Sequence, residues 1–273
     1  MSLSKKIDFA VLLHVCNANP NGDPLNGNRP RVTYEGLGEM SDVCIKRKIR
    51  DRLLENGINI FVQSDDRKID DCTSLKTRAE TVLGKKMGGT ETVKKACETW
   101  FDVRAFGQLF AFKSGKNEDS GVSIPIRGPV TIQSAFTAEP VSITSTQITK
   151  SVSGDEGKDG KRSSDTMGMK HRIDGGYYFF YGSMNPQLAE KTGFSDEDAE
   201  TIKKILPRLF ENDASSARPE GSMRVCKVFW WEHNCKSGQY SSARVHNSIR
   251  FKGDGTYEEQ RLSNLTPEIL EGF

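Results

Sequence analysis

Residues 17–31 form the segment that most constrains how this 273-residue chain folds. They read NANPNGDPLNGNRPR, with five Asn, three Pro, two Gly and two Arg, and they follow directly on the apolar, β-branched stretch 7–16. This composition disfavours helix and strand and favours turns, so we predict a rigidly turned loop that leaves the end of a strand. Such loops often carry binding residues, although a plain hairpin connection would have the same composition.

A helix is predicted over residues 41–56, shortly after this loop. Ser41 or Asp42 suits the N-cap, and Gly57 marks the stop. The apolar residues that recur at every fourth position are Ile45, Ile49 and Leu53. Because positions with this spacing share one side of a helix, the segment is predicted to be amphipathic and to bury this stripe.

The same helix is strongly basic. Its cations are Lys46, Arg47, Lys48, Arg50 and Arg52. At about 100° per residue, Arg47 and Arg50 lie roughly opposite the apolar stripe and Lys46 flanks it, which predicts a cationic, solvated wall. A solvated face is the ordinary explanation of a charge run, but only Asp51 interrupts this series, whereas solvated helices more often mix signs.

Four ordered motifs resemble one protein family. They are NPNGDP with GNRPR and DVCIKRKIR, then FDVRAFGQ at 101–108, IPIRGPVTIQSAF at 124–136 and DTMGMKHRID at 165–174. They are similar to the repeated backbone subunit of the CRISPR type I-C surveillance complex (Cascade), a member of the RAMP superfamily. The resemblance runs from about residue 6 to at least 181, and more weakly through 224–232 toward the C-terminus.

The resemblance implies an α+β fold in a single RRM-like domain over residues 1–273. Its modified RRM-like, ferredoxin-like core is expected to carry a helical insertion and a flexible thumb hairpin. The expected divisions are the core or palm at about 6–63, 120–150 and 172–260, the insertion or fingers at about 64–119, and the thumb at about 150–171. The resemblance implies that the chain wraps guide RNA and polymerises along it, with no catalytic role in type I systems.

The apolar patterns give the same order of elements. The predicted strands are 6–15, 58–63, 122–134, 141–149, 177–182 and 225–231, and a second helix is predicted from Ser195 to Pro207. Strands 6–15 and 58–63 around the basic helix would form a βαβ opening. The stretch 64–118 is mostly helical in pattern and charged.

Residues 151–169 change character abruptly, with four Gly, alternating charge and almost nothing to bury. We predict that this segment is mobile when nothing is bound. A disordered surface loop is the alternative. The resemblance implies instead a thumb that folds over the guide of the neighbouring subunit and kinks out one base per protomer, with Met167 and Met169 as the wedge.

The aromatic residues are predicted to belong to cores. The run 177–181 is a continuous apolar stretch typical of a strand covered on both faces, and the aromatic RNA-binding pattern of RRM domains is absent from it. Trp100, Phe101 and Phe106 sit in an apolar periodic setting and are assigned to the core of the insertion rather than to base stacking.

The residues predicted to bind RNA are the polar and basic residues of the loop, the helix wall and the thumb, with one turn arginine: Asn21, Arg29, Arg31, Lys46, Arg47, Arg50, Arg127, Met167, Met169, Lys170, His171 and Arg172. Such groups hold a phosphate backbone and do not read single bases, so target choice would rest on base pairing by the guide. Arg127 precedes a predicted Gly-Pro turn, and RNA contact and pairing with an acid are equally open for it.

The implied partners are guide RNA, target DNA through the guide, copies of this chain and other Cascade subunits.

Composition sets further limits. The net charge is only +2, so any RNA surface must be local, and near-neutrality suits protomers that pack side by side. The six Cys and four His show no metal-binding spacing, and we expect neither a metal nor another cofactor. No apolar run is long enough to span a membrane and no signal peptide is evident, which predicts a cytoplasmic protein without a membrane partner.

An enzyme is the main rival hypothesis. Backbone subunits of type III complexes resemble this chain and cleave target RNA through an Asp in the loop after the first strand, where Asp23 stands here. An Asp between Gly22 and Pro24 commonly bonds its own backbone. A metal-assisted cut normally needs a second carboxylate, and none follows before Glu35. We therefore predict a non-catalytic protein, with a metal-dependent RAMP ribonuclease as the alternative. A generic RNA-binding protein would make the four motif matches coincidental.

Overall fold

The computed structural model describes residues 2–84, 87–112, 122–150 and 167–273. The strands are β1 Ile7–Ala18, β2 Gly22–Asp23, β3 Arg29–Pro30, β4 Leu37–Met40, β5 Gly107–Phe112, β6 Val122–Arg127, β7 Val130–Ile132, β8 Ala135–Pro140, β9 Ile143–Thr149, β10 Met167–Met184, β11 Met223–Glu232, β12 Ile249–Phe251, β13 Tyr257–Glu259 and β14 Glu268–Glu271. The α-helices are α1 Asp42–Glu55, α2 Leu75–Leu83, α3 Gly89–Thr99, α4 Phe101–Phe106, α5 Pro186–Thr192, α6 Asp196–Ile205 and α7 Ser242–His246. Short 3₁₀ helices occupy Pro24–Asn26 and Leu206–Arg208.

An antiparallel sheet forms the centre of the molecule, in the order β14-β11-β1-β10-β8-β4, and β7 and β9 also pair with β10. The first and third core strands, β1 and β10, lie side by side in the middle, with β11 on one side and β7 and β8 on the other. Helices α1 and α6 fall within the two crossovers. This is the β-α-β-β-α-β arrangement of ferredoxin-like folds, so the predicted RRM-like core is confirmed.

Strand β1 is apolar on both faces because both are covered. Phe9, Val11 and Leu13 point into the main core cluster with α1 and α6, whereas Ala10 and Leu12 join a second cluster on the opposite face. Successive side chains of a strand alternate between faces, so a run that is apolar at every position predicts cover on both. We call the two sides of the sheet the helix face and the C-terminal face, since α7, β12 and β13 lie over the second.

Local signals for the two core helices are confirmed. The Ser41 hydroxyl oxygen accepts the N–H of Cys44 at the start of α1, and the predicted stripe of Ile45, Ile49 and Leu53 is fully buried. Helix α6 begins with a capping box between Ser195 and Asp198. Capping and apolar spacing are local properties, which is why the sequence predicts both helices closely.

The predicted strand at 58–63 is wrong. Ile60 and Phe61 are buried there, but the main chain is irregular. The N–H groups of Phe61 and Val62 donate to the carboxylate of Asp102, at 2.6 and 3.1 Å, instead of to a neighbouring strand. An apolar run therefore packs without strand pairing, and β7 and β8 supply the second core strand.

The insertion differs from the prediction in its last part. Helices α2, α3 and α4 are present, but β5 pairs with β6 as a two-stranded antiparallel ribbon. Gly107 begins β5 at φ 81°, a left-handed conformation that ends α4 and that glycine adopts readily.

The aromatic residues of the insertion divide between two cores. Trp100 packs with Phe61 and Phe110 in a separate cluster, as predicted for it. Phe101 and Phe106 pack against the main core instead, so their assignment to the insertion core is wrong. Helix α4 turns these two rings toward the sheet.

The aromatic strand is a central strand whose residues 178–181 are covered on both faces, as predicted. Tyr178 and Phe180 are fully buried on the helix face. On the C-terminal face Phe179 stacks on Phe251 with ring centroids 5.1 Å apart, and Tyr181 stacks on His246 at 4.9 Å. Across residues 2–84, 87–112, 122–150 and 167–273, no helix is long and apolar enough to cross a membrane.

Candidate nucleic-acid interface

The loop after β1 is tightly turned, as its composition predicts. Asn17, Gly27 and Asn28 adopt positive φ angles of 53°, 59° and 59°, a region that Gly and Asn tolerate best. The carboxamide of Asn19 donates to the carbonyl of Asn28 at 2.7 Å and ties the two limbs together. The expected absence of strand was wrong in part, because β1 continues to Ala18 and the short strands β2 and β3 pair within the loop.

Asn21 fastens this loop to the start of α1. Its side-chain oxygen accepts hydrogen bonds from both the main-chain N–H and the hydroxyl of Ser41, each at 2.9 Å. Ser41 is also the N-cap of the helix, so loop and helix share one hydrogen-bonded joint. The Asn21 oxygen is therefore used within the protein, and a contact to RNA would fall to its amide nitrogen.

Asp23 has the turn role that its neighbours predict. Its carboxylate accepts the N–H of Leu25 at 3.2 Å and caps the 3₁₀ helix, and Arg31 lies 3.6 Å from the same oxygen. Arg29 stands opposite Asp23 in the β2–β3 pair and is partly exposed. The Nε of Arg31 is buried without a hydrogen-bond partner in the described part of the chain.

The cationic wall of α1 is not free. Lys46 pairs with Asp42 at 2.8 Å, and the other two predicted contacts, Arg47 and Arg50, also meet acids. Arg47 remains half-exposed beside Asp51 and Asp66. Positive and negative side chains are therefore mixed along this wall, as on an ordinary solvated helix. The predicted excess of unpaired positive charge is absent from the wall.

Arg50 is the clearest correction. Its side chain is 13 % exposed and its Nε donates at 2.8 Å to Asp102, which is 1 % exposed. The guanidinium also lies 5.3 Å from the centroid of the Phe106 ring. The prediction that Arg50 is solvated is therefore wrong. It neutralises a buried carboxylate that holds the segment after α1.

The remaining cations of α1 join a network with the segment that follows α6. Lys48 is buried and pairs with Asp213, which also accepts from Arg218 at 3.0 Å. Arg52 is buried and pairs with Glu55 and Glu211. Glu55 belongs to α1, but Glu211 and Asp213 come from a distant part of the chain, so no local pattern in the helix could have indicated those two.

Unpaired basic side chains lie elsewhere. Arg127 is exposed at the end of β6, Gly128 and Pro129 make the predicted turn into β7, and no ion pair to Arg127 occurs within the described ranges. Lys170 is exposed on β10, and no ion pair to it occurs there either. His171 bonds Ser145 through Nδ1 at 2.8 Å, and Arg172 lies 3.6 Å from Asp174.

The arms of the predicted thumb form an antiparallel ladder between β9 and the first part of β10, from the Met167–Thr149 pair to the Ile173–Ile143 pair. Met167 and Met169 are 67 % and 55 % exposed, and Ile148 on the facing arm is also exposed. The hairpin therefore presents apolar side chains to solvent. Of the predicted mobile segment 151–169, residues 151–166 lie outside the described residues, and 167–169 form the start of β10.

A row of three side chains on the C-terminal face of the sheet was not predicted from the sequence. In the strand registers His14 of β1 stands opposite Tyr177 of β10 and Arg224 of β11. The His14 and Tyr177 rings are 4.7 Å apart between centroids. A histidine within an otherwise apolar strand was the available signal.

A buried polar cluster lies farther along the same face. Asp8 and His233 are fully buried, and the Asp8 carboxylate accepts from His233 Nε2 at 2.9 Å and lies 3.2 Å from Lys6. Burial raises the pKa of Asp8, but hydrogen bonds from His233, His246 and Ser242, with the charge of Lys6, outweigh it and lower the pKa. This cluster fixes the C-terminal segment on β1. Among the described residues, no three His, Cys, Asp or Glu side chains are grouped so as to hold a metal ion.

Comparison with known proteins identifies the family. The sequence profile of the family "CRISPR-associated protein Cas7" matches residues 5–266. The chain is 29 % identical to a CRISPR-associated protein Cas7 of Haloferax volcanii, over 99 % of this chain and 82 % of that protein.

Two solved structures of CRISPR RNA-guided surveillance complexes contain similar chains. One has a TM-score of 0.48 at 17 % identity and covers 92 % of this chain and 77 % of its own. The other, in a pre-nicking state, has a TM-score of 0.45 at 15 % identity and covers 83 % and 78 %. Since the profile spans nearly the whole sequence, this chain belongs to the Cas7 family of CRISPR-associated proteins.

Proposed function

We propose that this chain is a non-catalytic, guide-RNA-binding backbone subunit of a type I-C CRISPR surveillance (Cascade) complex. It polymerises along the guide in the cytoplasm and presents it for base pairing with target DNA, beside other Cascade subunits. Membership of the Cas7 family supports this role. The type I-C assignment rests on the four sequence motifs, and the palm, fingers and thumb divisions given above are part of the same proposal.

The observation that carries the proposal is the contrast between a fixed loop and an exposed hairpin. The loop is held by Asn21 and Asp23, whereas the hairpin presents Met167, Met169 and Lys170 to solvent. Apolar side chains next to free cations suit a single-stranded nucleic acid, because a phosphate backbone and the faces of bases are offered together. Burial between neighbouring protomers and RNA would also explain why large apolar side chains are exposed in the isolated chain.

Exposure and ion pairing rank the proposed RNA contacts. Arg29, Arg127 and Lys170 are the leading phosphate contacts, because each is exposed at least in part and no ion pair to any of them occurs among the described residues. Arg31, His171 and Arg172 have weak or neutral partners and remain in the set. Lys46 and Arg47 would have to exchange carboxylates for phosphate. Arg50 acts through the position of Asp102 and does not contact RNA directly.

A scaffold role is favoured over a ribonuclease by the surroundings of Asp23. Both its hydrogen bond to the Leu25 N–H and its approach to Arg31 use the same oxygen, Oδ1, within the loop. These contacts suit a carboxylate that shapes a turn. A general base or metal ligand would need to face the scissile phosphate of a bound strand instead.

The test is what nucleic acid co-purifies with the protein when it is expressed together with a CRISPR array and its processing machinery. We expect RNA of guide length that carries repeat and spacer sequence, in assemblies with several copies of this chain. An array with a changed spacer should change the RNA recovered, which controls for nonspecific capture. Recovery of only random cellular RNA, or of none, would contradict the proposal.

A further inference from the structure

We propose that His14, Tyr177 and Arg224 form a platform for one unpaired nucleotide of single-stranded RNA, separate from the loop and hairpin contacts. The three residues lie at one level on three adjacent strands, β10, β1 and β11. Their neighbours Leu13, Val15 and Tyr178 belong to the main core on the helix face. Because side chains alternate along a strand, the platform lies on the C-terminal face.

The cover of the C-terminal face ends at this level. Toward Ala10 and Leu12 the face is buried under α7 and the β12–β13 pair. Gly255, between β12 and β13, packs on Tyr177, because a Cβ atom there would lie 2.5 Å from the Tyr177 ring. His14 and Tyr177 are only partly buried, and Arg224 is exposed. The covered core therefore gives way to accessible rings beside an accessible cation.

Open space adjoins the rings at the next level of the sheet. The next level of the sheet pairs Gly175 with Cys16, and Gly175 is exposed. A Cβ atom built on Gly175 would meet nothing within 4 Å. A flat group can therefore lie over the main chain of Gly175 with its edge or face against His14 and Tyr177.

The chemistry of the row fits a nucleotide better than a hydrophobic protein surface. Arg224 has no ion pair within the described part of the chain, and an unpaired guanidinium favours an anion such as phosphate. Burial, then the nearby charge of Arg224, lowers the pKa of His14, so its imidazole is neutral and can stack. Bases stack on aromatic side chains in a sequence-tolerant way.

The position agrees with a strand that continues from the proposed guide site. Along β1, His14 is followed after two residues by the turned loop that starts at Asn17. Along β10, the paired hairpin arm ends at Ile173, two residues before Gly175. The platform thus lies where both elements leave the sheet. The inference rests on the proposed function, because it assumes that single-stranded RNA reaches this end of the molecule.

The test combines photocrosslinking with binding to a short uridine-rich single strand that carries 4-thiouridine. In the unaltered protein we expect crosslinks in the peptides that contain His14 or Tyr177. His14→Ala removes a stacking ring and Gly175→Leu occupies the open space beside it, so each should weaken binding by about tenfold. Arg224→Ala should also lower the slope of log affinity against log salt by about 0.7.

Lys191→Ala is the matched control, because Lys191 is exposed on α5 and no ion pair to it occurs within the described ranges. It should leave both affinity and salt slope unchanged. RNA binding by the unaltered protein, with crosslinks elsewhere and unchanged affinity of folded variants, would overturn the platform alone. The same result with loss of protein self-association in the variants would assign the row to a copy-to-copy contact. If the unaltered protein binds no RNA, the proposed function and the platform both fail.

Discussion

The basic helix α1 differs from two other basic regions, the β9–β10 hairpin and the Arg127 turn near the far end of β10, in what its side chains contact. On α1 the cations pair with acids from three other parts of the chain: Asp66, Asp102, and the segment with Glu211 and Asp213. Lys170 and Arg127 have no such partner in the described ranges, and the hairpin methionines are exposed. A count of basic residues therefore does not locate an RNA surface. The positions of the acidic partners decide which basic side chains remain free to bind RNA.

The largest expected effect tests the structural role of the α1 cations. Asp102→Ala should reduce the free energy of unfolding by about 3–5 kcal/mol, because it leaves the mostly buried Arg50 unpaired and leaves the N–H groups of Phe61 and Val62 without acceptors. The measurement is urea unfolding followed by circular dichroism.

Asp66→Ala is the control for this change. Asp66 pairs with Arg47 on the same helix, but its side chain is mostly exposed, so the loss should stay within about 0.5–1 kcal/mol. Equal losses of unfolding free energy for the two variants would contradict the prediction that the buried ion pair of α1 stabilises the fold more than the exposed one. A triple replacement of Lys46, Arg47 and Arg50 by Glu should also destabilise the chain, through Arg50.

The second prediction sharpens the comparison in RNA binding. Arg127→Ala with Lys170→Ala should reduce affinity for single-stranded RNA by roughly tenfold or more. It should also lower the salt slope by about 1.4, since each phosphate contact to a single strand contributes about 0.7. Lys46→Ala with Arg47→Ala should change the slope by less than half as much, because carboxylates already compensate those charges.

Fluorescence anisotropy over a range of salt concentrations measures both quantities. Lys191→Ala with Lys204→Ala removes the same charge from exposed positions on α5 and α6 and serves as the control. A larger slope change for the α1 pair than for Arg127 and Lys170 would reverse the proposed ranking of the two regions.

How far the sequence predicts the molecule depends on how local each cause is. The caps of α1 and α6 and the stripe of Ile45, Ile49 and Leu53 depend on residues within a few positions, and they are confirmed. Arg50 and Asp102 are 52 residues apart, and nothing near Arg50 indicates that it is buried. The same carboxylate explains the missing strand at 58–63. Long-range polar contacts are therefore the part that the sequence could not supply.

The third prediction concerns acid stability within the insertion. Hydrogen bonds and the charge of Arg78 lower the pKa of Asp70 from 3.8 to about 2. A lowered pKa in the folded state means that the stabilisation is present above about pH 4 and is lost as the pH falls toward 2. Because Asp70 is partly exposed, its contribution is about 1 kcal/mol after solvent screening.

Asp70→Asn should therefore lower stability by about that amount at pH 7 and by almost nothing near pH 2. Urea unfolding at several pH values measures the difference. Asp254 has a lowered pKa through its own turn, and Asp254→Asn is the comparison at a fully exposed site. A constant penalty for Asp70→Asn at every pH would show that the Arg78 pair is not what stabilises the insertion.

The smallest expected effect on stability belongs to the hairpin. Met167→Ser with Met169→Ser should change the free energy of unfolding by less than about 0.5 kcal/mol, because both side chains are exposed. Ordered assemblies on RNA should nevertheless become shorter in electron micrographs. A marked loss of stability would place these methionines in the core of the isolated chain, in contrast to their exposure.

The most direct test of a structural RNA carrier uses the guide-loaded assembly and a complementary target RNA with magnesium or manganese. We predict that the target stays intact with the unaltered protein and with Asp23→Asn. Both proteins should bind guide and target alike, because Asn retains the oxygen that accepts the Leu25 N–H. A metal-dependent ladder of regularly spaced cuts, present in the unaltered protein and lost in Asp23→Asn, would contradict the account and assign the chain to the ribonucleases.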